Sequence, residues 1–306
     1  MNILITGAWP DAKKHIEQIE AMGHCTVFLQ NEADALPCDP TWPAGLICNG
    51  LFLHHPIEQF RNLRFIQLTS AGFDRVPMDY VQSHGIEIHN ARGVYSAPMA
   101  EFAVGSVLQI YKQFPFFREN QKAHRWEKRR DLRELTGKTV VILGCGSVGT
   151  ECAKRFRVFA CKLIGVDIYP RQDERFDEIL PLTALDETLP AADVLILTVP
   201  LTDETRGLIG SVRLAAMKPD ATLVNISRGA VIDEPALAAH LQANPAFTAA
   251  LDVFESEPLN ESSPLWACSN AILTPHNSFA GENNPARLNA VVLQNLSSVG
   301  TQQSWQ

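Results

Sequence analysis

The stretch Val140-Val141-Ile142-Leu143-Gly144-Cys145-Gly146-Ser147-Val148-Gly149 runs an apolar strand into a turn with three glycines. Asp167 stands eighteen residues beyond the last of them, closing a second apolar run at 162–166. Strand, glycine turn, helix, second strand and acid in this order form the pattern of a dinucleotide-binding βαβ unit. Each glycine has its own task. Gly144 permits the tight turn, Gly146 lets the backbone approach a pyrophosphate, and Gly149 lets the helix pack close to the sheet. Ser147 and Val148 lie where that helix begins, offering free N–H groups and a positive dipole end to the phosphates. Asp167 would accept the adenosine ribose hydroxyls and repel a 2′-phosphate, which favours NAD. Arg171 nearby keeps NADP as an alternative.

The unit begins in the middle of the chain, so the residues before it must build something else. Short apolar runs at 3–6, 26–29, 46–48, 65–68 and 86–89 read as strands of an N-terminal parallel sheet, with helices at 12–22 and 78–83. Ser96-Ala97-Pro98 has the hydroxyl and early proline of a helix start. The following 99–114 is apolar on nearly every face, which points to burial between domains or between subunits. The run 122–133 mixes Lys and Arg with Glu127 and Asp131 and reads as a solvated connector. Further strands are expected at 139–143, 162–166, 194–199, 222–226, 248–252 and 271–274, with helices such as 148–159 and 234–243 between them. The expected fold is α/β, with two doubly wound parallel sheets. Residues 277–306 read as one more helical stretch, able to pack on either domain.

Composition bounds the function. Of 306 residues 46% are hydrophobic and 20% charged, as in a soluble globular protein, and the net charge of −8 argues against nucleic-acid and anionic-membrane partners. No run reaches the ~20 apolar residues of a membrane span, and Met1-Asn2-Ile3-Leu4-Ile5 reads as a first strand rather than a leader. The seven cysteines form no Cys-x-x-Cys pair, so reduced thiols in a cytoplasmic protein without a metal site are expected. Cys145, inside the glycine turn, is a candidate for oxidation.

Three later motifs carry chemistry. Asn225-Ile226-Ser227-Arg228-Gly229, Asp252-Val253-Phe254-Glu255-Ser256-Glu257-Pro258 and Thr274-Pro275-His276 each follow an expected strand. Their functional groups therefore fall at carboxyl ends of one parallel sheet, where open α/β folds bind ligands. Histidine titrates near neutrality and can exchange a proton. A carboxylate beside it would orient the ring, and an arginine fork matches a carboxylate and a carbonyl oxygen as no lysine does. Glu257 as a surface acid and Arg228 paired with Asp233 are the plainer alternatives.

Through these motifs and several others, the chain resembles the D-isomer-specific 2-hydroxyacid dehydrogenases over nearly its whole length. The likeness includes Thr69-Ser70-Ala71-Gly72-Phe73-Asp74, Asn90-Ala91-Arg92-Gly93-Val94, Ala100-Glu101-Phe102 and Thr198-Val199-Pro200-Leu201-Thr202 with Thr205. It implies a catalytic trio of Arg228, Glu257 and His276. It implies cofactor contacts from Thr198, Pro200, Thr205, Ile226, Ser227, His276 and Ser278 besides the glycine turn, with Asp252 on the nicotinamide carboxamide. Ala71, Gly72 and Phe73, together with Arg228, would hold the substrate. The implied architecture is a flavodoxin-like substrate domain at 1–95, a Rossmann NAD-binding domain at 96–280 with a cleft between them, and a segment 281–306 returning to the first. The implied activity is hydride transfer between NAD and a D-2-hydroxy acid or its 2-oxo acid, such as hydroxypyruvate, glyoxylate or a branched acid, by a homodimer. An NAD(H)-binding, corepressor-like regulator and an NADPH-preferring reductase are the competing readings. Asn277-Ser278-Phe279-Ala280-Gly281 departs from the commoner small-apolar continuation, which suggests a more polar pocket wall. Loop 49–55 also borders the expected pocket, with His54-His55 read as solvated.

Overall fold

The computed structural model describes residues 1–301; residues 302–306, the end of the expected C-terminal segment, lie outside the described residues. The chain forms two compact units, Met1–Tyr95 joined by the segment from Gly281 onward, and Ser96–Ala280.

In the first unit β1 (Asn2–Thr6), α1 (Ala12–Ala21), β2 (Cys25–Leu29), β3 (Gly45–Cys48), β4 (Phe65–Leu68), α2 (Met78–Ser83) and β5 (Glu87–His89) follow in order. The sheet is parallel, ordered β2-β1-β3-β4-β5. This is the flavodoxin-like order, whose reversal point lies between β1 and β3. Side chains alternate between two cores. Leu4, Leu46, Ile66 and Leu68 face one side, and Ile3, Ile5, Ile47 and Phe65 the other. Burial on both faces explains why these strands are continuous apolar runs.

In the second unit α3 (Ser96–Tyr111) and α4 (Phe114–Lys122) precede β6 (Thr139–Leu143), α5 (Ser147–Arg157), β7 (Lys162–Asp167) and β8 (Glu178–Pro181). Then come α6 (Leu185–Thr188), β9 (Val194–Leu197), α7 (Ser211–Ala216), β10 (Thr222–Asn225), α8 (Glu234–Ala243), β11 (Thr248–Leu251) and β12 (Ala271–Leu273). The parallel sheet is ordered β12-β11-β10-β9-β6-β7-β8, a Rossmann arrangement reversing between β6 and β9. Val140, Ile142, Val194 and Ile196 bury one face under α3 and α5; Val141, Leu143, Leu195 and Leu197 bury the other with Leu237 and Leu241 of α8.

Three features differ from expectation. The apolar helix starts at Ser96, at the cap, and stops at Tyr111; Gln113 adopts φ 53°, and α4 begins at Phe114 with Pro115 in its first turn. Ala100, Ala103, Val107 and Ile110 of α3 lie in the unit's own core, while Met99, Phe102, Val104 and Leu108 are half-buried. Strand β8 escaped the sequence reading. Its apolar content is Ile179-Leu180 after a charged stretch, and it pairs only with β7 at the sheet's edge, where Pro181 is tolerated. The final helix, α9 (Asn284–Thr301), belongs to the first unit. Leu288, Val292 and Leu296 recur every fourth residue and enter the core around Ile3 and Ile5. Residues 277–283, expected to be helical, form turns and loop.

Candidate functional site

The glycine turn is held by backbone crowding and by one acid. Gly144 has φ +95°, and a Cβ there would stand 2.8 Å from Val199 N. A Cβ on Gly149 would meet the Gly144 carbonyl oxygen at 2.0 Å, so this glycine is required by the turn itself. Gly146 is different: a Cβ there would meet nothing within 4 Å. The open space lies at the N-terminus of α5, where Gly146 is the N-cap and a helix start suits an anion. Thr198 Oγ1 donates to the carbonyl oxygen of Gly144 at 2.6 Å and ties β9 to the turn. Asp167 Oδ2 accepts Cys145 N at 2.6 Å, and Oδ1 accepts Tyr169 N at 2.9 Å. Arg171 bonds the carbonyl oxygen of Cys145 from the other side.

Cys145, a candidate for oxidation by its place in the turn, is ill suited to it. Its side chain is fully buried, and burial with the nearby Asp167 charge pushes the thiol up to about 12. The thiolate that oxidants attack is therefore suppressed.

Three adjacent strands deliver the other motifs to one edge. Asn225 ends β10 fully buried; its Oδ1 accepts Ser227 N at 3.0 Å and its Nδ2 donates to the Arg228 carbonyl oxygen at 3.0 Å. Asn225 shapes the loop that presents Arg228, a role the sequence reading did not assign. Its signal was a polar side chain closing an apolar strand. Ile226 and Ser227 are buried in this turn, and the Arg228 guanidinium donates to the Ser227 carbonyl oxygen at 2.7 Å. A Cβ on Gly229 would fall 1.8 Å from the Phe254 carbonyl carbon. The Arg228 loop and the loop of Glu257 are thus in backbone contact.

Glu257 and His276 are joined directly. Glu257 Oε1 accepts Phe254 N at 3.0 Å, and Oε2 stands 2.7 Å from His276 Nδ1. A carboxylate only accepts, so Nδ1 carries the proton of this bond and Nε2 is left for other chemistry. The two side chains are 37% and 40% exposed. His276 has φ 50°, a conformation that costs a non-glycine residue roughly 1 kcal/mol. Its N–H donates to the carbonyl oxygens of Asp252, at 2.7 Å, and Thr274. The Asp252 carboxylate, fully buried, accepts Thr274 Oγ1 at 2.6 Å and Asn277 N and Ser278 N at 2.8 Å each. Asp252 is the anchor under the histidine loop, which the residue pattern alone did not show. Ser278 is turned inside, and the residue beside the imidazole is Phe279, so that flank is aromatic rather than the polar wall expected.

Pro200 and Thr205 belong to a small turn: Thr205 Oγ1 donates to the Pro200 carbonyl oxygen and accepts Thr202 N, both at 2.7 Å. Ser147 and Val148 sit half-buried in the first turn of α5.

In the first unit, Ala71, Gly72 and Phe73 form the loop after β4. Asn90 Nδ2 donates to the Ala71 carbonyl oxygen at 2.6 Å and Ser70 Oγ to that of Gly72 at 3.0 Å. Among the described residues no acceptor faces the three backbone N–H groups. Backbone amides without a protein acceptor suit an anion. Glu32, after β2, accepts Thr6 Oγ1, Asn49 N and Gly50 N at 2.7 Å each and fixes the start of loop 49–55. His54 borders a cavity of about 390 Å³ with Glu32, Asn49 and Arg75, while the His55 ring lies 3.0 Å from the Asp34 carbonyl oxygen. Among the described residues no cluster of His, Cys, Asp and Glu could hold a metal, and no helix is long and apolar enough to cross a membrane.

Residues 104–278 match the model of the D-isomer specific 2-hydroxyacid dehydrogenase NAD-binding domain. A glyoxylate reductase of Thermofilum pendens is 35% identical over 246 residues, covering 78% of this chain and 72% of that one. A D-3-phosphoglycerate dehydrogenase of Archaeoglobus fulgidus is 34% identical over 76% of this chain, which spans only 44% of that protein's length. Among solved structures, a D-isomer specific 2-hydroxyacid dehydrogenase family protein of Aeromonas salmonicida subsp. salmonicida superposes with TM-score 0.84. The two are 29% identical over 99% of this chain and 96% of the other.

Proposed function

The chain belongs to the D-isomer specific 2-hydroxyacid dehydrogenase family, and on that premise we propose that it is an NAD-dependent oxidoreductase of D-2-hydroxy acids and their 2-oxo acids. Hydroxypyruvate, glyoxylate or a branched 2-oxo acid is the proposed substrate. The observation that carries this reading is the Glu257–His276 pair, 2.7 Å apart, on the same sheet as the dinucleotide turn.

When bound, the nicotinamide supplies the hydride that reaches C2 of the 2-oxo acid, or takes it back in the reverse direction. The rest falls to this chain. His276 gives the proton at Nε2 to the carbonyl oxygen, so that C=O becomes CH–OH, and reclaims it in oxidation. Glu257 fixes the tautomer and the ring plane. Arg228 offers its fork to the substrate carboxylate and carbonyl oxygen, polarising the bond that the hydride attacks. The free amides of Ala71, Gly72 and Phe73 are assigned to the carboxylate. Gly144, Gly146 and Gly149 with Ser147 and Val148 would cradle the pyrophosphate, and Asp167 would hold the adenosine ribose. Thr198, Pro200, Thr205, Ile226, Ser227, His276 and Ser278 would shape the remaining cofactor wall, with Asp252 assigned to the nicotinamide carboxamide.

The test is His276→Ala. Loss of a positioned proton donor should lower kcat with the best 2-oxo acid by about 100-fold or more while NADH binding persists. A fall below tenfold with binding intact overturns the assignment.

A further inference from the structure

In the loop after β4 each carbonyl oxygen from Thr69 to Phe73 is taken by a donor of the same unit. Tyr95 Oη donates to the Thr69 oxygen, Ala91 N to that of Ser70 at 2.8 Å, and Asn90 Nδ2 to that of Ala71 at 2.6 Å. Ser70 Oγ donates to the Gly72 oxygen at 3.0 Å, and Val76 N to that of Phe73 at 2.9 Å. The donors are themselves held. Asn90 Oδ1 accepts Arg92 N at 3.2 Å, which keeps Nδ2 turned to Ala71. The Val94 carbonyl oxygen, next to Tyr95, accepts Nη1 of Arg287 in α9 at 3.1 Å.

The peptides of this loop are trans. In a planar trans peptide the C=O of one residue and the N–H of the next point in opposite directions. A donor that fixes one carbonyl therefore aims the amide that follows it. Ala91 N aims Ala71 N–H and Asn90 aims Gly72 N–H, both away from the segment 90–91, while Ser70 aims Phe73 N–H. Resting on the function proposed above, we propose that Asn90 and Ser70 are positioning residues, which hold the amides of Gly72 and Phe73 toward the carboxylate of the 2-oxo acid. Without its donor each peptide can turn about its flanking bonds, and an amide that turns leaves the anion. Amide–carboxylate hydrogen bonds are charge-assisted. They exist before and during hydride transfer alike, so their loss weakens substrate binding rather than the chemical step.

The experiment measures kcat and KM for glyoxylate in wild type, Asn90→Ala, Ser70→Ala and Ser70→Thr, with NADH titration and thermal melting to establish that each variant is folded. KM should rise about tenfold in Asn90→Ala and about fivefold in Ser70→Ala, with kcat within about threefold of wild type. Ser70→Thr keeps the hydroxyl, and its KM should stay within about twofold of wild type. Damage to the fold alone would lower the melting temperature and the active fraction, and so kcat, with KM unmoved. A KM within about twofold of wild type in both alanine variants, or a loss confined to kcat, overturns the proposal while leaving the proposed function standing. A Ser70→Thr variant as impaired as Ser70→Ala overturns the role of the hydroxyl. Absence of wild-type turnover with any 2-oxo acid removes that function and this inference with it.

Discussion

The two units share a design and diverge at one point. Each is a parallel sheet whose first strand enters a glycine turn before a helix. In each, an acid at or just past the end of the second strand ties the loops together. Gly7 is as tightly placed as Gly149, since a Cβ on it would stand 2.2 Å from the Gln30 carbonyl oxygen. The difference lies in what the acid holds and how the helix begins. In the second unit Asp167 grips the glycine turn through Cys145 N, and α5 starts from glycine with no acid in its first turn. In the first unit Glu32 grips loop 49–55 instead, and α1 starts from Asp11. The hydrogen bond from Lys14, and then that from Asn289, hold the Asp11 carboxyl below its ordinary range, so a negative charge stands at the head of α1. There the Asp11 carboxylate, ion-paired with Lys14 at 2.7 Å, occupies the helix start that α5 leaves open to an anion. Shared topology alone does not confer the dinucleotide binding proposed for the second unit; the residues at the helix start differ.

The sharpest way to break this contrast is to damage both turns. Gly149→Ala drives a Cβ into a backbone oxygen and should weaken NADH binding at least about tenfold while lowering the melting temperature by roughly 5 °C. Gly7→Ala should melt the protein by a similar amount yet leave the NADH dissociation constant within about twofold. Equal losses of NADH affinity in the two variants would erase the distinction.

The acids come next in expected size. Asp167→Ala strips Cys145 N and Tyr169 N of their acceptor, a cost of about 1–3 kcal/mol, and removes the charge assigned to oppose a 2′-phosphate. The ratio of NADH to NADPH efficiency at equal concentration should fall about tenfold, and an unchanged ratio breaks the role given to Asp167. Glu32→Ala should cost a similar ~1–3 kcal/mol of stability by leaving Asn49 N and Gly50 N unpaired, with the coenzyme ratio unmoved. The smallest effect is expected at the thiols. Cys145 should resist iodoacetamide at pH 8 in the folded protein, whereas exposed Cys25 reacts; rapid labelling of native Cys145, read by peptide mass, would mean that the turn opens.

Much of this was legible beforehand because buried parallel strands write themselves as apolar runs. Both sheets, the helices 78–83 and 234–243 and the glycine turn could be read that way. Strand β8 was not legible, since an edge strand with one paired side needs few apolar residues. The break between α3 and α4 was missed because Phe114 resumes the apolar run after only two polar residues, Lys112 and Gln113, while the change of direction rests on a single left-handed backbone at Gln113. At the site, residue types and order pointed to Arg228, Glu257 and His276, but not to Asn225 as the brace of the arginine loop.

The sequence by itself determined where a dinucleotide turn lies and which side chains follow each strand, because strand period, glycine placement and residue chemistry are local. Only the tertiary structure decided which groups meet. It set Glu257 against His276 Nδ1, buried Asp252 beneath the histidine loop, turned Ser278 inward and left Phe279 beside the imidazole. These pairings span up to 26 residues of separation, and they depend on neighbouring strands bringing their carboxyl ends to one edge, which no local pattern encodes.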